Sequence, residues 1–188
     1  MLVLASRSPR RGEILRQAGI PFVVRPADVD ETPRPDEHPR DYVTRLARDK
    51  AMAVAAGPAE IVLGADTIVV IGGVMLGKPR DPADAVQMLE ALSGQRHDVI
   101  TGICLRTAAR TIADCSATSV WFAAISRREI EEYVAGGEPM DKAGAYAIQG
   151  RAARFIERIE GCYFNVMGLP VELVYRRLRE LQPLPLDC

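Results

Sequence analysis

The chain has 188 residues, a formal net charge of −1, and 48% hydrophobic and 26% charged residues, a globular balance that excludes a disordered chain. Near-neutral charge removes any global attraction to nucleic acid or an anionic membrane, and no apolar run approaches the ~18 residues of a membrane span. In MLVLASRSPRR the apolar stretch precedes the basic residues, the reverse of a secretory leader, so a cytoplasmic protein of one domain over 1–188 is expected.

In chain order, Met1–Ala5 reads as a short buried strand. Ser8 and Pro9 then supply the N-cap and first position of a helix that Gly19 ends. Pro21–Arg25 reads as a second strand. Residues 26–40 hold four prolines and several acids and form a long loop, a length usually tied to function. Asp41–Ala56 is a helix. Ile61–Val70 suits a buried strand interrupted at Asp66-Thr67, and Gly72-Gly73 turns it into Val74–Leu76. A helix runs from Asp81-Pro82 to Leu92. Asp98–Arg106 and Thr111–Ala123 form an antiparallel pair. Ser126 and Glu129 make a capping box for a helix to about Ala135. Residues 138–150 show little periodicity. Arg154–Ile159 and Cys162–Met167 read as paired strands, and Pro170 opens a last helix to about Leu181. Alternating helices and strands with several hairpins predict an α/β fold around a long mixed sheet.

The four cysteines (Cys104, Cys115, Cys162, Cys188) lack metal-ligand spacing and read as buried thiols in a reducing compartment. Cys104 and Cys115 could face each other across the hairpin, and terminal Cys188 lacks a prenylation pattern. Neither His38 nor His97 lies in a suggestive motif. No GxxxxGK[ST], GxGxxG or Ser-His-Asp arrangement is present.

Function is sought where the chain breaks its own local rules. A helix N-terminus favours acids, yet Arg10 and Arg11 fill this first turn, each costing up to about 1 kcal/mol unless an anion is near. Either they reach solvent and carboxylates, or a phosphate chain binds there. Of 24 basic residues only Lys50, Lys78 and Lys142 are lysine, and ammonium and guanidinium are not interchangeable. Lys50 falls on the stripe Val43, Leu46, Lys50, Val54, which faces the core. It either snorkels or points into a polar cleft. Asp66 interrupts an apolar strand, where an unpaired carboxylate is costly. It either caps a bend made by Gly64, or holds a divalent metal or activates water, with Glu31 as second carboxylate and Lys50 and Lys78 as charge partners. Lys78 is held between Gly77 and Pro79. Gln149 carries a donor and an acceptor suited to a base edge.

The motifs LASRSPRRGEIL (4–15), VDE (29–31), YVTRLARDKA (42–51), VLGADTIVV (62–70), LGKPRDPADAVQML (76–89), LSGQRHDVITG (92–102), EPMDKAGAYAIQG (138–150) and GCYFNVMGLP (161–170) together resemble the Maf-like family of nucleoside triphosphate pyrophosphatases. All three lysines fall inside them. The resemblance implies an elongated mixed sheet flanked by helices in two lobes with a central cleft, as in inosine triphosphate pyrophosphatases. It implies hydrolysis between the α- and β-phosphates of a nucleoside triphosphate with Mg²⁺ or Mn²⁺, a house-cleaning role, and a homodimer. DKAGAYAIQG resembles the dTTP/UTP-preferring branch. Carried over by motif, Asp66 is the proton acceptor, Arg10, Thr67 and Gln149 set base preference, and Ser8, Arg11, Glu31, Lys50 and Lys78 face phosphate and metal. Ala147 and Cys162 depart from the usual Gly and Ser. The rival readings are a non-catalytic nucleotide-binding division regulator, a pyrophosphatase for 7-methyl-GTP or purine nucleotides, and a DNA-binding protein, against which the near-neutral charge counts.

Overall fold

The computed structural model describes residues 1–181; the reading of Cys188 lies outside the described residues. The elements are β1 (Leu2–Leu4), α1 (Pro9–Gln17), β2 (Phe22–Val24), α2 (Pro39–Ala53), β3 (Ile61–Ile71), β4 (Val74–Leu76), α3 (Pro82–Leu92), β5 (Arg96–Arg106), β6 (Thr111–Phe122), α4 (Arg127–Ala135), β7 (Ile156–Glu160), α5 (Tyr163–Met167) and α6 (Val171–Leu181). Three short 3₁₀ turns, Glu138–Asp141, Ala143–Ala145 and Gly150–Phe155, fill the stretch between α4 and β7.

Local chemistry sets most helix starts. Asp81 Oδ1 accepts from Asp84 N at 2.8 Å and caps α3. Ser126 and Glu129 form the expected capping box of α4, satisfying two otherwise orphaned N–H groups. Helix α2 begins earlier than the apolar stripe implied. His38 is its N-cap, accepting from Arg40 N at 3.3 Å, and Pro39 takes the first position.

The strands form one seven-stranded mixed sheet in the order β2-β1-β3-β5-β6-β7, with β4 paired to β3. Strand β1 runs parallel to both β2 and β3. The β3–β4 and β6–β7 pairs are antiparallel. A mixed α/β fold was expected, and this is one.

The chain folds as two compact units. The first comprises Met1–Asp66, Thr101–Ser116 and the segment from Gly168; the second comprises Thr67–Ile100 and Ala117–Met167. In the first, Val3 of β1 and the adjacent Ala5, Ala47 and Ala51 of α2, Val62 of β3 and Cys104 of β5 pack into one apolar cluster. In the second, Leu89 and Leu92 of α3 and Ile130 and Tyr133 of α4 pack on Val99, Val120, Phe122, Tyr146 and Phe155.

Two expectations are corrected. Strand β3 is not interrupted at Asp66-Thr67 but continues to Ile71, and Gly64 makes no bend. A Cβ at Gly64 would lie 2.0 Å from Ala47 O and 2.8 Å from Ala51 N, so glycine is there to let α2 lie against the strand. Residues 162–167 are not a strand either. Cys162 O accepts from Asn165 N at 3.1 Å, starting a helical turn. Asn165 is fully buried, with Nδ2 donating to Val99 O at 2.9 Å and to Thr118 Oγ1 at 3.0 Å. Those two bonds require the turn that brings Asn165 inward.

Candidate active site

Three buried charged side chains gather in the first unit: Arg11, Lys50 and Asp66. Each is delivered by a regular element. Lys50 comes from the inner stripe of α2, where Val43 and Leu46 are fully buried. Its ammonium does not snorkel. Lys50 Nζ lies 2.6 Å from Asp66 Oδ1 on β3 and 2.6 Å from Glu31 Oε1. The Asp66 side chain is 11% exposed and that of Glu31 52%, so one carboxylate is walled in and the other opens to solvent. Burial pushes the Asp66 carboxyl above its ordinary range, with the Lys50 and Arg11 charges opposing.

Arg11 stands in the first turn of α1. Its Nε donates to Gly168 O at 2.9 Å and its Nη1 to Ser6 Oγ at 3.0 Å. Burial pulls its pKa down, and the charges of Asp66 and Glu31 work against that. Ser8 is the N-cap, with extended backbone and no side-chain capping bond, and no acid occupies the first turn. Ser8 N instead donates to Ser6 Oγ at 3.2 Å. Arg10 is half-buried in the same turn.

Among the described residues no group of three His, Cys, Asp or Glu side chains is arranged to hold a metal. What the chain offers is two carboxylates converging on one ammonium. That donor set suits a hard cation completed by phosphate oxygens and water, not a closed protein cage.

A model of the family described as Maf-like protein matches residues 1–181. The chain belongs to the Maf-like family. It is 53% identical over 189 residues to the dTTP/UTP pyrophosphatase of Anaeromyxobacter dehalogenans, covering 98% of this chain and 96% of that one. It is also 53% identical over 179 residues to the protein of the same name from Koribacter versatilis, covering 95% and 93%. Among solved structures, the Staphylococcus aureus Ham1 protein superposes with a TM-score of 0.55 at 15% identity, over 96% of this chain and 99% of that one. That likeness shows a shared fold.

The remaining candidates of this Maf-like chain lie in the second unit. Thr67 follows Asp66 in β3 and is half-buried. Lys78 is exposed in the turn after β4, and the preceding Gly77 O accepts from Gly144 N at 3.0 Å. Gln149 is exposed and leads the 3₁₀ turn Gly150–Phe155. The structure thus ties the Lys78 turn to the segment that carries Gln149. Glu138 secures the far side of that segment: its carboxylate accepts from Tyr133 Oη at 3.2 Å and from Arg151 N at 3.2 Å.

Motif reading passed over three partners. Ser6 orients Arg11 and the α1 entry, Gly168 O anchors the same guanidinium, and Tyr42 Oη donates to Glu31 O at 2.8 Å. Ser6 carried a signal, since it sits inside the same Ser-Arg-Ser-Pro run. Gly168 lies inside the run 161–170, but nothing there points to Arg11, 157 positions away. Buried thiols were expected, and only Cys104 of the described cysteines is buried, its thiol pushed up to about 11 by burial; Cys115 and Cys162 are half-buried, and all three are free. No helix among the described residues is long and apolar enough to cross a membrane.

Proposed function

We infer that this chain is a nucleoside triphosphate pyrophosphatase that splits the α–β phosphoanhydride of dTTP and UTP, releasing the monophosphate and pyrophosphate. One arrangement carries the mechanism: a lysine ammonium held 2.6 Å from a buried and an exposed carboxylate, beside a buried arginine. The relatives that are about half identical over nearly the whole chain carry the name dTTP/UTP pyrophosphatase.

In this reading Asp66 takes a proton from water as the water oxygen attacks the α-phosphorus. The new P–O bond forms as the bond to the α–β bridging oxygen breaks, and pyrophosphate leaves with that oxygen. A carboxylate whose proton affinity is raised by burial accepts a proton more readily near neutral pH. Arg11, Lys50 and Lys78, with the amide groups at Ser8–Arg10, offset phosphate charge. An arriving triphosphate competes with Asp66 for the Lys50 ammonium and so frees the base. Mg²⁺ or Mn²⁺ belongs to the same proposal: Glu31 would hold it together with the triphosphate oxygens, and it would supply charge neutralisation on those oxygens. Arg10, Thr67 and Gln149 are assigned to pyrimidine preference. The proposal extends to a cytoplasmic homodimer acting without nucleic acid, as the resemblance and the near-neutral charge support.

A nucleotide panel with product identification tests the whole reading. UTP and dTTP are expected to give UMP and dTMP with pyrophosphate, ahead of purine and methylated-guanine nucleotides. Release of orthophosphate, a purine preference, or no hydrolysis of any nucleotide would overturn it.

A further inference from the structure

Glu31 reaches Lys50 from an unlikely support. It lies in the stretch from Arg25 to His38, which contains no helix or strand. Fixing each residue of such a stretch costs roughly 1–2 kcal/mol of backbone entropy. Something must therefore hold residue 31 at the depth where its carboxylate meets the ammonium.

Helix α2 does so at two successive carbonyls. Tyr42 Oη donates to Glu31 O at 2.8 Å, and Arg45 Nη2 donates to Thr32 O at 3.2 Å. Tyr42 and Arg45 are one turn apart on one helical face, and the Arg45 guanidinium lies 5.5 Å from the centre of the Tyr42 ring, within cation–π range. Arg45 is itself fixed by a two-point ion pair to Glu37, at 2.6 and 2.7 Å. Tyr42 is buried at 8% exposure, and its bond to Glu31 O is part-buried, so the donor is fixed by packing although the loop it holds faces solvent. Lys50 projects from the same helix two turns later. The backbone of Glu31 and the partner of its carboxylate are thus both referenced to one rigid rod.

We propose that Tyr42 is a positioning residue for the hydrolytic reaction: its hydroxyl, backed by Arg45, sets where Glu31 stands over Lys50. This rests on the reading of Glu31 as part of the phosphate- and metal-facing set. Tyr42 touches neither substrate nor reacting atoms in this account; it acts through Glu31.

The test is a double-mutant cycle of Tyr42→Phe and Glu31→Gln, read by UTP kinetics, thermal melting and hydrogen exchange. Phe keeps the ring and removes one hydroxyl. Y42F is expected to lower kcat/KM about tenfold while melting within a few degrees of the wild type. Amide exchange over residues 28–37 is expected to speed up with α2 unchanged. In the E31Q background the same change should cost nothing further, because the residue being positioned has already lost its charge. If E31Q is impaired but Y42F matches the wild type, or if the two losses simply add, the positioning role is wrong. If E31Q itself hydrolyses UTP like the wild type, the fault lies in the reading of Glu31, and the proposal falls with it.

Discussion

Residues 25–38 and 138–150 both lie outside the long helices and strands, and each carries a candidate site residue, Glu31 in one and Gln149 in the other. The first is held by charge and by single hydrogen bonds. Arg45 pairs with Glu37, Tyr42 and Arg45 bind two backbone carbonyls, and Lys50 takes the Glu31 carboxylate. The second is held by packing at its centre, with the hydrogen bonds of Glu138 at its ends. Ala145 is fully buried at φ +60°, a left-handed conformation that costs an alanine about 1 kcal/mol or more. A Cβ on neighbouring Gly144 would come within 2.7 Å of Val69 Cγ2. Tyr146 is buried, its hydroxyl 2.7 Å from His97 Nε2 and its ring edge-on to Phe122. A strained backbone of this kind persists only because the surrounding core over-determines it. The lesson is that changes in the first unit's charge cluster should register in turnover, and changes in the second unit's aromatic core should register in stability.

The sharpest break of that contrast is Asp66→Asn. It keeps shape and removes the base, so UTP turnover is expected to fall by about 10²–10⁴, with nucleotide binding measured by calorimetry largely retained. A variant that turned over UTP normally would remove Asp66 from the chemistry. Next comes His97. Burial holds its pKa down to about 4, against the ordinary 6.5, while the Asp98 charge and the Gln95 backbone pull the other way. The folded chain therefore keeps the ring neutral where the open chain binds a proton. Stability is lost as pH falls from about 6.5 to about 4, by up to about 3 kcal/mol. Urea midpoints across that window should drop steeply in the wild type and more shallowly in His97→Gln; parallel curves would show that the ring titrates the same way in both states. The smallest of the three is Lys50→Arg. Charge survives but the point-like ammonium is replaced by a planar fork, and roughly a tenfold loss of kcat/KM is expected. Unchanged kinetics would mean that only charge matters at this position.

Two of the hairpins, the caps of α3 and α4 and the apolar stripes were legible because they depend on neighbours a few positions away. Ser126 and Glu129 announce α4 by themselves, and Asp81-Pro82 announces α3. The Lys50 anomaly was legible too, as a charge on a stripe that otherwise reads apolar. Its resolution was not. Whether that ammonium snorkelled or entered a polar cluster depended on Asp66, 16 residues away, and on a loop carboxylate with no periodicity to betray its direction. The same holds for Gly64, whose strand pattern permitted a bend until α2 was seen lying against it. It holds for residues 162–167, where apolar spacing suited a strand but the buried bonds of Asn165 required a turn.

By itself, then, the amino-acid order determined most element types, many of their ends and the family. Backbone propensity and capping are local, and the family motifs are short contiguous runs. Tertiary structure alone decided which charges meet. The free energy of a buried ion depends on partners brought together through space, and no local pattern records where those partners will be.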